Sequence, residues 1–223
     1  MIKLVIFDWN GTILSDATAT LEAENKVLSL FNIKPVTLGQ YRELFDIPLT
    51  KYYAKVGMNE KSFFENHAKI QKTYHGFYEK RIEQCRARTG TKALLKWLHS
   101  NGIKSIILSN HTIESIERHL KRLKLEKYVS AVLANSDVLS TGLKDKAKHA
   151  EKYIKENGFE KEQIIIVGDS PEEIKIARQL GVKSIAIAGG WFSVKRLKEK
   201  QPDYLIGRLD KAIGIIKRID AKA

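Results

Sequence analysis

Four polar residues stand where apolar runs end: Asp8 after Leu4-Val5-Ile6-Phe7, Ser109 and Asn110 after Ile106-Ile107-Leu108, and Asp169 after Ile164-Ile165-Ile166-Val167-Gly168. A carboxylate just past a buried strand is placed to act as a nucleophile or as a ligand for a hard cation. A serine beside the start of a helix is placed to hold an anion. Asp8 is followed by Trp9-Asn10-Gly11-Thr12, so the side chain two residues on is an amide, which forms hydrogen bonds but carries no proton to or from a reacting atom.

The elements that must bring these residues together are short β-branched runs alternating with helical patterns. Strands are expected over Lys3 to Phe7, Ser105 to Leu108, Ser130 to Leu133, Gln163 to Val167, Ser184 to Ile187 and Tyr204 to Ile206. Helices are expected over Lys92 to Ser100, Thr112 to Leu123, Lys146 to Glu156 and Pro171 to Leu180, three of them stopped by a following glycine. Such alternation indicates a parallel sheet, whose carboxyl strand ends share one edge, the edge where ligands bind. Residues 16–88 break the rhythm. They carry helical periodicity over Ala19 to Phe31, Leu38 to Leu44, Thr50 to Val56 and Lys61 to Ile82, with no convincing strand. The expected fold is α/β, a Rossmann-like parallel sheet flanked by helices. Residues 1–15 and 89–223 form the core, and 16–88 an inserted all-helical cap.

Composition narrows the classes. The 223 residues are 43% hydrophobic, enough for a sizeable core, and no stretch approaches a membrane span. The expectation is a cytoplasmic protein without a membrane partner, monomeric or homodimeric. Cys85 is the only cysteine, so neither an internal disulfide nor a Cys-based zinc site can form. The net charge of +13 is dispersed through stretches such as Glu151-Lys152-Tyr153-Ile154-Lys155-Glu156, the pattern of a solvated helix face. No basic run with interleaved aromatics points to nucleic acid.

The run Asp8-Trp9-Asn10-Gly11-Thr12, with Ser109, a lysine near 146 and Gly168-Asp169-Ser170, resembles the motif series of the haloacid dehalogenase-like (HAD) hydrolases over essentially the whole chain. The likeness is to phosphatase-type members with a helical cap, the phosphoglycolate phosphatase and β-phosphoglucomutase-like group. It implies magnesium-dependent hydrolysis of a small phosphorylated substrate, with Asp8 as nucleophile and an aspartyl-phosphate intermediate. Ser109 and Asn110 would hold a phosphoryl oxygen. A lysine would neutralise it: Lys146, which opens its helix directly as in some members, or Lys144, as in a longer form of the motif. Mg²⁺ would sit on Asp8, the backbone carbonyl of Asn10 and Asp169, with Glu173 reached through water. A capping box competes for that last residue, with Ser170 as N-cap and Glu173 three residues on. Arg42, Lys51, Tyr52 and Tyr53 are the candidate cap contacts to substrate, although Tyr52 or Tyr53 fits the core of the cap better, and Trp191 is a border of the site.

The departure from the pattern is Asn10, because family phosphatases carry a general acid/base aspartate there. Losing such a group costs about 10²–10⁴ in rate. The resemblance therefore implies a slowed phosphatase or, alternatively, a catalytically impaired phosphate-binding or regulatory relative. Asn-Gly is also the pair most prone to deamidation, which would install an aspartate at position 10 unless a rigid loop prevents it.

Overall fold

In the computed structural model, which describes residues 1–136 and 146–222, the β-branched runs form β1 (Leu4–Phe7), β2 (Lys104–Thr112), β3 (Ala131–Asn135), β4 (Ile164–Gly168), β5 (Lys183–Ile187) and β6 (Tyr204–Ile206). They join in one six-stranded sheet in the order β3-β2-β1-β4-β5-β6, every pair parallel. Phe7 is opposite both Ile107 and Val167. This register brings Asp8, Ser109 and Asp169 out at one edge, in the middle of the sheet.

Alternation along the strands sends side chains to two cores, as the pleat requires. Val5, Phe7, Ile107, Ile165 and Val167 pack with Leu94 and Leu98 of α6 (Thr91–Ser100), Ile116 of α7 (Ile113–Arg122) and Ile215 of α11 (Lys211–Asp220). Leu4, Ile6, Ile106, Leu108, Ile164 and Ile166 pack with Ala150 of α8 (Lys146–Glu156) and Ile176 of α9 (Pro171–Leu180). Each fully buried aliphatic side chain contributes roughly 1.5–3 kcal/mol, so both faces of the central strands hold the site's platform rigid. One short helix, α10 (Val194–Glu199), follows β5. Among the described residues no helix is long and apolar enough to cross a membrane.

Between β1 and β2 lie α1 (Ala17–Leu30), α2 (Leu38–Leu44), α3 (Leu49–Lys55), α4 (Glu60–Glu65) and α5 (His67–Ile82). The single helix expected over Lys61 to Ile82 is broken at Asn66. Its side chain donates to the Ser62 carbonyl at 2.9 Å, a local bond that competes with helix continuation. The two ends of the insertion are joined at a neck, where Ser15 N–H meets the Arg86 carbonyl and Arg88 N–H the Ile13 carbonyl, each at 2.9 Å.

The insertion's own core holds a carboxyl. Glu24 is 3% exposed and its Oε2 accepts from Tyr53 Oη at 2.8 Å. Burial raises it from its ordinary 4.5 to about 7, the Tyr53 bond acting against that. Between those two values the native state keeps a proton that the unfolded chain releases, so stability falls as pH rises from about 4.5 to about 7 and is level above. Glu24→Gln keeps an acceptor for Tyr53 and removes the titration. Urea unfolding should find the variant more stable than wild type at pH 8, by on the order of 3 kcal/mol, and near parity at pH 4.5. An advantage that does not grow with pH would contradict this.

Candidate active site

Asp8 leaves β1 with its N–H still on the Val167 carbonyl at 3.0 Å. The next turn is closed by the Trp9 carbonyl, which accepts from Ile13 N–H at 2.9 Å and Leu14 N–H at 3.0 Å. Gly11 is required there because its φ is +72° and because a Cβ would overlap the Asp169 carboxylate. Gly190, after β5, leaves room for the same carboxylate from the other side. Asp169 is thus clamped between two glycine backbones. Thr12 Oγ1 donates to its Oδ1 at 3.0 Å and Trp191 N–H to its Oδ2 at 2.6 Å.

Lys146 opens α8 and turns its ammonium into the site. Nζ lies 2.8 Å from Glu173 Oε1, 3.1 Å from Asp8 Oδ1 and 3.3 Å from Glu172 Oε2. Lys144 lies outside the described residues. Burial alone would lower the Lys146 ammonium, but Glu173, Asp8 and Glu172 outweigh it and hold the group well above the ordinary lysine value. Burial raises Asp8 well above the carboxylate range; Lys146 opposes that shift, while Glu173 and Asp169 reinforce it. Asp169 is pushed up to about 7, by burial first and then by Glu173 and Asp16, against the bonds from Trp191 and Thr12.

The buried carboxylates Asp8 and Glu173 and the half-buried Glu172 therefore meet one ammonium, and the buried Asp169 adds its charge beside Asp8. A divalent cation fits this imbalance: the available donors are oxygens, as hard cations require, and crowding among the carboxylates helps to raise both aspartates. Among the described residues no group of three His, Cys, Asp or Glu side chains forms a ready cation cage. The fit consequently calls for main-chain and water oxygens beside the two aspartates, the arrangement Mg²⁺ favours.

Ser170 caps α9 by accepting from Glu172 N–H at 3.0 Å, and its hydroxyl donates to Glu173 Oε2 at 2.6 Å. Glu173 spans Ser170 and Lys146 with its two oxygens, so it braces the lysine instead of closing a capping box. Ser109 Oγ is buried at the edge and accepts from His111 N–H at 3.1 Å. Beyond it β2 runs on irregularly to Thr112, which caps α7 by accepting from Ser115 N–H at 3.4 Å. The helix start lies past Ser109 and Asn110, and neither serves as its cap. Asn110 borders the cavity and reaches Glu172 Oε2 at 3.5 Å.

Asp16 has the position of an N-cap for α1 but makes no cap bond. Its carboxylate turns back to accept from Gly11 N–H and Tyr78 Oη, each at 2.6 Å, Asn10 Nδ2 at 2.9 Å and Trp191 Nε1 at 3.3 Å. Burial raises this carboxyl, and the four donors act against that. Asn10 Nδ2 also donates to Tyr78 Oη at 2.6 Å. With its nitrogen committed to Asp16 and Tyr78, Asn10 has Oδ1 left for the cavity it lines. The same bonds bear on deamidation, which needs the Gly11 nitrogen to attack Asn10 Cγ. That nitrogen is held on Asp16 and the amide is pinned. Peptide mapping of folded protein after prolonged incubation should find Asn10 intact, while the unfolded chain deamidates; equal rates in both states would contradict the restraint.

Comparison with known proteins places this arrangement. The sequence model of the haloacid dehalogenase-like hydrolases matches residues 5–187. The chain belongs to this family. A putative pyrophosphatase PpaX of Caldanaerobacter subterraneus subsp. tengcongensis is 33% identical over 156 residues, 67% of each chain. A phosphoglycolate phosphatase of Synechococcus elongatus is 22% identical over 92% of each. A haloacid dehalogenase-like family hydrolase from Streptococcus pneumoniae superposes with a TM-score of 0.79 at 18% identity, covering 96% of this chain and 98% of its own. At that identity the likeness speaks for the fold.

In this HAD-family hydrolase the helical insertion is fastened over the strand edge. Arg42 of α2 donates to the Gly189 and Gly190 carbonyls, each at 2.8 Å, and Arg196 of α10 donates to the Phe45 carbonyl. Phe45 meets Trp191 and Phe192 edge-on, with ring centroids 5.4 and 5.5 Å apart. Arg88 ties the Gly11 carbonyl to that of Ala188. The space left above Asp8 is about 70 Å³. Of the four residues expected to contact substrate from the insertion, Tyr52 and Tyr53 are buried in its core and Arg42 is engaged by the glycine carbonyls. Lys51 is exposed beside an adjoining groove.

Proposed function

We propose that this chain is a magnesium-dependent phosphatase of small phosphate monoesters that acts through an aspartyl-phosphate on Asp8, with residues 16–88 as its cap. The observation that carries the reading is the buried pair of Asp8 Oδ1 and Lys146 Nζ at 3.1 Å, on the strand edge that also holds Ser109 and Asp169. Relatives named as putative pyrophosphatase and phosphoglycolate phosphatase support hydrolysis of a phosphoryl group, and the second supports an ester as its source.

Asp8 attacks phosphorus, forming a bond from its carboxylate oxygen while the ester oxygen leaves with the electron pair of its bond to phosphorus. Lys146 offsets charge on the phosphoryl oxygens, and Ser109 Oγ with Asn110 holds one of them. Mg²⁺ on the Asp8 and Asp169 carboxylates and the Asn10 carbonyl, with Glu173 reached through water, would supply further positive charge and lower the repulsion between two anions. Water then attacks the phosphoryl group and releases Asp8. Asn10 Oδ1 accepts from that water and orients it but moves no proton, so esters whose alcohols leave as stable anions suffer least in the first step and the second step is slow.

Phosphate release from p-nitrophenyl phosphate, with Mg²⁺ and with chelator, tests the reading: slow hydrolysis that requires the metal is expected. Release that is equal without Mg²⁺ would overturn the metal assignment. Magnesium-dependent phosphate binding with no release would favour the impaired, phosphate-binding relative that Asn10 brings into view.

A further inference from the structure

Beside the site cavity lies a larger groove of about 670 Å³ between the insertion and the sheet unit. Ile47, Ser170, Glu172 and Phe192 line both spaces, so the groove adjoins the cavity at Asp8. The cavity above Asp8 is small enough to be filled by a phosphoryl group. Whatever is esterified to it must leave the cavity, and this is the larger of the two spaces that meet there.

The groove has a graded character. Near the site its walls are apolar, from Ile47, Pro171, Ile174 and Phe192. Farther along it becomes basic. Its acidic residues nearest the site are already matched: Asp46 by Lys55 at 2.8 Å and Arg196 at 3.7 Å, Glu172 by Lys146 at 3.3 Å. Arg178 donates to the Lys200 carbonyl at 2.8 Å. Lys51 from α3, Lys175 from α9 and Lys200 beyond α10 are exposed and have no ion pair among the described residues, against one unmatched carboxylate, Glu199. Ammonium groups without an ion pair among the described residues, from three separate elements, line one groove that also has apolar walls, which matches a ligand with an apolar middle and an anionic far end.

We infer that the groove takes the substrate's leaving group and that Lys51, Lys175 and Lys200 bind a second anionic group, phosphate or carboxylate, at its distal end. The inference rests on the phosphatase reading of the site and narrows it to bis-anionic esters whose two charged groups are separated by an apolar spacer. Lys51 stands on the insertion and the other two on the sheet unit, so the same anion also ties the closed arrangement together.

Calorimetric titration at fixed free Mg²⁺ tests the groove without turnover. The probes are alkane α,ω-bisphosphonates of increasing length, the matching ω-carboxyalkylphosphonates, and alkylphosphonates of equal length with no second charge. At the best length a doubly charged probe should bind about 10- to 100-fold tighter than its singly charged match, the range of charge-assisted contacts. Whichever second group gives the larger ratio names the distal anion. In Lys51→Gln/Lys175→Gln/Lys200→Gln that ratio should fall towards one. A wild-type ratio near one at every length, or a full ratio kept by the triple variant, would overturn the inference. Hydrolysis of p-nitrophenyl phosphate, which has no second anion, reports separately on the phosphatase reading.

Discussion

Asn10→Asp should raise the steady-state hydrolysis of p-nitrophenyl phosphate by about 10²–10⁴, which is the contribution of a positioned general acid/base and equals roughly 3–5.5 kcal/mol of barrier. The structure sets where in that range the gain falls. Asn10 donates to Asp16 Oδ2 at 2.9 Å, so a carboxylate introduced at position 10 faces another one with only the single Tyr78 hydroxyl proton to share between them. Two carboxylates that close share one proton, and the single variant is expected at the lower end. Asn10→Asp combined with Asp16→Asn restores a donor–acceptor pair in reversed order and should gain more than either change alone. Equal turnover in wild type, single and double variants, all folded and magnesium-binding, would show that residue 10 does not limit the reaction.

Asp8→Asn should have the opposite and larger effect. An amide in place of the attacking carboxylate forms no aspartyl-phosphate, and removal of a covalent nucleophile costs on the order of 10⁴–10⁶ in turnover. The fold should survive. Lys146 keeps Glu173 at 2.8 Å and Glu172 at 3.3 Å, and the variant relieves a site in which burial and neighbouring carboxylates already push Asp8 up. Thermal melting at or above the wild-type midpoint, with phosphate release at background, is the expected pair of results. A variant that retains about a tenth of the activity would exclude Asp8 as nucleophile.

The parts of this molecule legible in its sequence are those whose cause is local. Leu4-Val5-Ile6-Phe7 and Ile164-Ile165-Ile166-Val167 are too short and too β-branched to be anything but buried strands, and the chain's six such runs became the six strands of the sheet. Because parallel strands end on a common edge, the meeting of Asp8, Ser109 and Asp169 followed from their positions in those runs. Asn157-Gly158 marks where α8 stops, while its opening at Lys146 was implied by the family resemblance and not by a local signal. Asp16 was hidden because an aspartate ahead of Ala17-Thr18-Ala19 already has a sufficient local explanation as a cap. Its real partners, Tyr78 and Trp191, lie in distant segments brought together by the insertion. Arg88 was unremarkable among 39 basic residues and Arg42 read as a substrate contact; only the fold aims both at the loop carbonyls. Tyr52 and Tyr53 fitted either a substrate contact or the core of the insertion, and the structure places both in that core. Helices α10 and α11 escaped for a different reason: the first is six residues long and the second carries Gly214 within an otherwise amphipathic run.

In the proposed reaction Asn10 spares phosphoryl transfer to Asp8 from an aryl ester and slows its release to water. Rapid mixing of the wild-type enzyme with p-nitrophenyl phosphate and Mg²⁺, followed by acid quench and peptide mass analysis, tests it directly. A burst of about one p-nitrophenolate per active site before a slow steady rate is expected, with one phosphoryl group on the peptide that contains Asp8. Linear release from the first turnover, with that peptide unmodified, would contradict it.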